Sequence, residues 1–409
     1  LISFGLIGTF DPLGPLGPLG PLGHVVGQCI SGRQNSSKEY AVSSFTRELH
    51  WTKSQMPLLK TALDGLPPLG GMRLACSMHL DIKMAPFVEG LLGKGAGVFL
   101  TTCNAHTVRD EVVSYLVERG ASARASNGMD HTALRTSYRS ALEWGPTHLC
   151  EMGADLSHTL LSGDHDGTNI RAGLEATGSG ITRMQTLDLP YPVYNWDDLP
   201  VKEGLHNRHM VGLTCWHAFF QRTGLTLHGK RVLVVGYGSV GRGVAAAARA
   251  YGGAVTVAER DAARRLEAQF AGWSTAGLNE AIPHVDVVVT ATGASGILGD
   301  SQFRKCKGGA FLLNVGHNDS EIDLNALREW PVQQPVPYVE EFDVEEKRLY
   351  LFSGGSMANL TAGRGDSINA FDITLAILTA GISFIAEKGV HAPAGLHSLP
   401  DEVWKAVLQ

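Results

Sequence analysis

Gly236, Gly238 and Gly241 follow an apolar run that starts at Lys230, in the spacing Gly-x-Gly-x-x-Gly. A strand entering such a turn and a helix leaving it make a phosphate cradle. The first glycine allows the tight turn, the second lets the backbone approach a pyrophosphate, and the third lets helix and strand pack closely. Ser239 and Val240 open the Ala-rich helix that runs through Ala250, and are expected to bind the same group. The next strand, in AVTVAERD, ends near Glu259. A carboxylate there accepts hydrogen bonds from ribose hydroxyls and repels a 2′-phosphate. NAD is therefore expected rather than NADP, although Arg260 beside it is the residue type that serves a 2′-phosphate.

The elements that must position this turn follow from hydrophobic runs. Two more strands, at 285–290 and 310–315, complete the β-α-β-α-β order of a doubly wound nucleotide-binding domain. Upstream, strands at 71–80 and 95–102, each followed by a helix, predict a second α/β unit with a mainly parallel sheet. After Gly363 a long apolar helix and a loop-rich end are expected to return to that unit. The expected fold class is α/β: a Rossmann NAD-binding domain plus a discontinuous α/β substrate domain, with doubly wound parallel sheets. The expected divisions are 45–205, 206–365 and 366–409. Residues 1–44, with Pro-Leu-Gly repeated four times over 12–23, read as an irregular N-terminal extension. The start at Leu1 rather than methionine reads as that of a processed or fragmentary chain.

Composition narrows the function class. The 409 residues carry 34 Lys+Arg against 40 Asp+Glu, a net charge of −6, so no nucleic-acid or anionic-membrane partner is expected. The longest apolar stretch, 373–386, is interrupted by Thr374, Thr379 and Ser383 and reads as a buried helix. No secretory signal is apparent. Six scattered cysteines without a Cys-x-x-Cys pair suggest reduced thiols in a cytoplasmic protein, with neither a zinc site nor a disulfide framework.

Several segments carry a resemblance to S-adenosylhomocysteine hydrolase: GYGSVGRG at 236–243, NVGHNDSEIDLNAL at 314–327, TTCNAHTVRD at 101–110, SMHLDIK at 77–83 and MGADLS at 152–157. The chain resembles that family from Met56 to about Ala406. The resemblance implies a nucleoside substrate and an internal redox cycle. The sugar 3′-hydroxyl is oxidised with NAD, a base removes the 4′ proton, the 5′ group is eliminated, water adds, and the ketone is reduced. It further implies catalytic roles for His79 near the leaving group, His317 near the sugar and Lys202 near the 3′-hydroxyl. Cofactor contacts are implied for Thr177, Ser179, Asn207, Thr292, Gly293, Asn314 and Asn359. A homo-dimer or homo-tetramer is implied as well.

The departures concern the substrate side. Met152 stands where the family has a catalytic aspartate, with Glu151 beside it. Ala176 stands where the family has a sugar-binding glutamate, with Glu175 beside it. A register shift of one residue would restore each carboxylate. His206 aligns with the sugar-binding aspartate, and Asp366 with the histidine of a Gly-His-Pro motif. Asp81 and Lys83 replace a threonine and a glutamate on the base-binding side. Candidate substrate-binding residues are therefore Asp81, Lys83, Glu151, Glu175, His206 and Asp366. The family's C-terminal extension, which reaches the neighbouring subunit's NAD, has no counterpart before Gln409.

Three readings follow. The space opened by Ala176 suits a ketohexose nucleoside, which makes a nucleoside dehydratase of antibiotic biosynthesis the leading expectation. A true S-adenosylhomocysteine hydrolase is the alternative. A catalytically inactive, NAD-binding regulatory homologue is the third.

Overall fold

The computed structural model describes residues 36–163, 169–316 and 319–409. The Pro-Leu-Gly repeat and His317 lie outside them. The chain divides into residues 1–44 and 45–409, and the second unit carries everything that follows.

Two sheets organise this unit. The first runs Gly395–Ser398, Pro192–Asn195, Ala172–Glu175, His148–Glu151, Arg73–Ser77, Gly97–Thr101, Ser122–Ala123, all parallel. Its last strand comes from the end of the chain, so this α/β domain is discontinuous. The second sheet runs Val332–Val336, Val339–Val344, Lys347–Phe352, Ala310–Asn314, Val287–Thr290, Arg231–Val235, Ala254–Ala258, Ser274–Thr275. Its strands from Lys347–Phe352 onward pair in parallel, as a Rossmann domain requires.

Apolar runs become central strands here because helices cover both faces. Leu74 and Cys76 enter one core while Ala75, between them, enters the other. Val232 and Val234 are likewise separated from Leu233 and Val235. That is the two-residue period of a strand buried on both sides.

Three features differ from expectation. The second sheet is not wholly parallel: Val332–Val336, Val339–Val344 and Lys347–Phe352 form an antiparallel meander at one edge. Its tight turn is made by Glu345 and Glu346 at φ 51° and 65°, without the Asn-Gly or Asp-Gly pair that would announce it. The apolar helix is longer than the 373–386 run and extends over Ile368–Glu387. Its length and apolarity would suit a membrane span, yet here it is a core helix. Asp372 on it accepts the Leu58 and Leu59 amides and so caps the helix Pro57–Asp64. Finally, the expected division at 205/206 falls inside a continuous helical segment, since Lys202–Met210 is wound as a π-helix that passes directly into the α-helix Val211–Thr223.

Candidate active site

Each sheet has a switch point where the chain reverses its winding direction, between Arg73–Ser77 and His148–Glu151 in one and between Arg231–Val235 and Val287–Thr290 in the other. Ligands bind beyond strand ends at such points. The turns leaving both converge on one cavity of about 960 Å³. The first sheet contributes His79, Met152, Gly153 and residues 176–179; the second contributes 238–240, 291–293, Val315 and Gly316. Connecting segments add Lys202, His206, Asn207, Asn359 and Asp366.

The three glycines have separable roles. Gly236 has φ 98°, and a Cβ on it would lie 2.6 Å from the Ala291 carbonyl. A Cβ on Gly241 would lie 2.0 Å from the Gly236 carbonyl. These two are closed by the protein itself. At Gly238 the nearest atom would be Arg264 Nη1 at 3.9 Å, so the space above it is open. Gly238, Ser239 and Val240 form the cavity-facing start of the helix Ser239–Ala250. Ser239 Oγ donates to Glu203 at 2.6 Å. Glu259 stands outside the wall of this cavity. Its carboxylate accepts the amides of Tyr237 at 2.7 Å and Asp261 at 2.9 Å, which fixes the entry to the turn.

Thr292 and Gly293 line the cavity through a residue the sequence reading missed. Glu321 accepts both their amides and the Thr292 hydroxyl, at 2.6–3.2 Å. Burial raises its pKa, which these donors oppose. Asn314 does not reach the cavity wall. Its amide donates to Gly355 O and its Oδ1 accepts from Gly316 N and Thr290 Oγ1, so it braces the turn from behind. Asn359 does reach the wall, and its buried Oδ1 has no hydrogen-bond partner among the described residues. An open glycine cradle and an unpaired amide acceptor fit a dinucleotide.

Lys202 begins the π-helix, a winding found at functional sites. Its Nζ donates to Asn207 Oδ1 at 2.7 Å, with Asp197 Oδ1 at 3.9 Å. Burial lowers the amine's pKa, against the pull of Asp197 and Asp366. His79 Nδ1 lies 2.9 Å from Thr107 Oγ1, and Cys103 Sγ lies 3.7 Å from the same nitrogen. Cys103 lines the cavity too, its thiol pushed up by burial and by Asp155 and Glu175. Thr177 and Ser179 lie on the wall, with Thr177 Oγ1 accepting the Gly180 amide.

The substrate-side expectations need correction. Met152 and Ala176 line the cavity; Glu151 and Glu175 do not. Neighbouring strand residues point to opposite faces, so a shift of one position moves a carboxylate away from the cavity rather than into it. Glu151 instead accepts from Leu156 N, Ser157 N and Ser157 Oγ. Glu175 accepts from the amides of Gly153, Ala154 and Thr177 and the Thr177 hydroxyl. Both are structural. Asp81 and Lys83 are also off the wall: they pair at 2.6 Å, and Lys83 Nζ donates to Arg364 O. A buried ammonium needs such partners, which leaves neither charge for a ligand. His206 and Asp366 do line the cavity, in contact with each other at 2.8 Å. Asp155 was not foreseen there. It pairs with Arg183 at 2.9 Å, and burial raises its pKa against that pairing.

Known families supply the remaining test. Residues 39–185 match the model of S-adenosyl-L-homocysteine hydrolase, and residues 215–365 match that of its NAD binding domain. The chain belongs to the S-adenosyl-L-homocysteine hydrolase family. An adenosylhomocysteinase of Archaeoglobus fulgidus is 31% identical over 372 residues, covering 88% of this chain and 92% of the relative. An S-inosyl-L-homocysteine hydrolase of Methanopyrus kandleri is 31% identical over 373 residues, covering 88% of each. An adenosylhomocysteinase of Aeropyrum pernix reaches 33% over 362 residues, covering 84% of this chain and 87% of the relative. As a member of this NAD-dependent hydrolase family, the chain takes NAD as its cofactor, and the open turn at Gly238 is consistent with that.

Proposed function

We propose that the protein hydrolyses the thioether of an S-nucleosyl-homocysteine, with an adenine or hypoxanthine base. The convergence of Lys202, His79 and the NAD turn on one cavity carries this reading. The curated relatives support it too, since their names include both adenosyl and inosyl substrates. Gly238, Ser239, Thr292, Gly293 and Asn359 would hold the cofactor, which supplies reversible hydride transfer at the sugar. Lys202 Nζ, its protonation disfavoured by burial, accepts a proton released at the oxidised sugar carbon. His79, oriented through Nδ1 by Thr107, carries the proton for the departing sulfur. Met152 and Ala176 keep the wall between them apolar. We further propose a two-domain division at the π-helix, a homo-dimer or homo-tetramer, and a cytoplasmic setting. The five described cysteines are free, as a reducing compartment allows.

Those apolar residues favour a second reading. With no carboxylate at 152 or 176 to handle water, elimination followed by reduction would leave an alkene, the outcome of a nucleoside dehydratase. Mass spectrometry of products from NAD-loaded protein separates the two. Release of nucleoside and homocysteine from S-adenosyl- or S-inosylhomocysteine supports hydrolysis. Loss of one water from an intact ketohexose nucleoside supports dehydration. NAD binding without any NADH formation or turnover overturns both in favour of the regulatory homologue.

A further inference from the structure

Asp155 and Arg183 face the cavity from the two segments that also carry Met152 and Ala176. Asp155 opens the helix Asp155–Ser162 after the strand His148–Glu151, and Arg183 lies on the helix Gly178–Met184 after the strand Ala172–Glu175. Glu175 accepts the amides of Gly153 and Thr177 and so ties the two turns together. The pair belongs to the first sheet, whereas the glycine turn for the cofactor belongs to the second.

A short path of contacts places the pair at the His79 end of the cavity. Tyr138 Oη lies 3.3 Å from Asp155 Oδ2 and 3.1 Å from Thr102 O. Cys103 follows Thr102, and its Sγ lies 3.7 Å from His79 Nδ1. His79 serves the departing sulfur in the reading above. The remainder of the leaving group must therefore lie on this side.

The guanidinium is only half used. Arg183 Nη1 donates to Gly153 O and to Asp155 Oδ1, the latter at 2.9 Å. Among the described residues, nothing accepts from Nε or Nη2. Those two nitrogens form one edge of the guanidinium, and their parallel N–H groups match a carboxylate. The side chain is 41% exposed, so this edge is open to a ligand, while Asp155 and Gly153 hold the other edge in place. A free edge alone would suit any oxyanion. Asp155 narrows the choice, because the pair is neutral in sum and a phosphate would meet the repulsion of its carboxylate. A zwitterion brings no net charge. It can set a carboxylate on the guanidinium and an ammonium by the aspartate, which keeps acceptor capacity beyond Arg183 and Tyr138.

We propose that Arg183 and Asp155 form the recognition site for the α-amino-acid end of the leaving group. Arg183 Nε and Nη2 take the carboxylate, Asp155 takes the ammonium, and the methylenes lie along Met152 and Ala176. This rests on the reading of the protein as a thioether hydrolase. A leaving water carries nothing for such a pair to hold.

The test compares S-adenosylhomocysteine with 5′-methylthioadenosine, which keeps the nucleoside and the thioether but lacks the amino-acid end. Affinities are measured on protein loaded with NADH, so that no sugar is oxidised, and kcat and KM on NAD-loaded protein. Arg183→Met and Asp155→Asn should each weaken binding of S-adenosylhomocysteine and raise its KM at least about tenfold, with kcat nearly unchanged. Arg183→Lys should restore only part of the affinity, because an ammonium cannot make the paired contact. Binding of 5′-methylthioadenosine should not change in any variant, which also shows that the cavity is intact. An equal loss for both thioethers in Arg183→Met overturns the proposal. So does wild-type affinity for S-adenosylhomocysteine no greater than for 5′-methylthioadenosine. Competition by inorganic phosphate that disappears in Arg183→Met would assign the guanidinium to a phosphate and overturn it as well. The two readings fail separately. Binding through Arg183 without release of homocysteine refutes the hydrolase and keeps the recognition site. Hydrolysis with KM unmoved by Arg183→Met keeps the hydrolase and refutes the recognition site.

Discussion

Glu151 and Glu175 show how a residue can match a chemical expectation and serve another purpose. They are register partners on adjacent parallel strands, wholly buried, and their oxygens are taken up by the turns that carry Met152, Gly153 and Thr177. Burial pushes Glu151 up to about 7 and, with the added repulsion of Glu151, Glu175 up to about 8. A carboxyl group whose pKa rises on folding contributes stability that is present below its unfolded value, near 4.5, and is lost as pH rises through the folded value. Relative to Glu175→Gln, wild type should therefore lose thermal stability between about pH 5 and pH 8. Parallel melting curves for the two proteins would refute this if their difference did not change with pH.

At the scale of elements, glycines set the distance between the π-helix and the cofactor turn. A Cβ on Gly243 would lie 1.9 Å from the Arg208 carbonyl, and one on Gly212 would lie 2.4 Å from the Gly243 carbonyl carbon. The helix Ser239–Ala250 thus packs backbone to backbone against the segment that begins at Lys202. Gly243→Ala should cost about 1–3 kcal/mol of stability and weaken NAD binding, because the overlap can be relieved only by moving one of the two helices. Gly277→Ala, whose added carbon would meet nothing closer than Glu280 Oε2 at 3.8 Å, is the control and should change neither. Denaturant titration with a parallel NAD-binding isotherm measures both. The glycine turn and its strands were legible because glycine spacing and apolar runs are local signals. The π-helix was not, since 202–210 carries no residue type that distinguishes i→i+5 winding from ordinary helix. The His206–Asp366 contact spans 160 positions, and nothing in a single sequence marks it. Glu321 read as one letter of a family motif, and its grip on Thr292 and Gly293 appears only when the turn is folded back on it.

Across the whole 45–409 unit, two separately cored sheets turn their strand ends to one cavity, and the chain joins them through the π-helix and the segment after Gly363. The first sheet's last strand and the core helix Ile368–Glu387 come from beyond the second sheet, so the first domain is complete only after the chain has crossed twice. Ligands should then reveal the division by what each protects. NAD alone should slow amide exchange at 236–241 and 291–293, where its cradle lies on the second sheet. A nucleoside added afterwards should extend protection to 152–155 and 176–180 on the first. Stabilisation by NAD should follow mass action, about 2.7 kcal/mol at a hundredfold excess over Kd. Protection confined to the second sheet with both ligands present would mean that the nucleoside does not bridge the sheets, and would separate the shared cavity from the site of reaction. Protection on both sides would tie the apolar wall at Met152 and Ala176 to the substrate, and make those two residues the first targets for restoring a carboxylate.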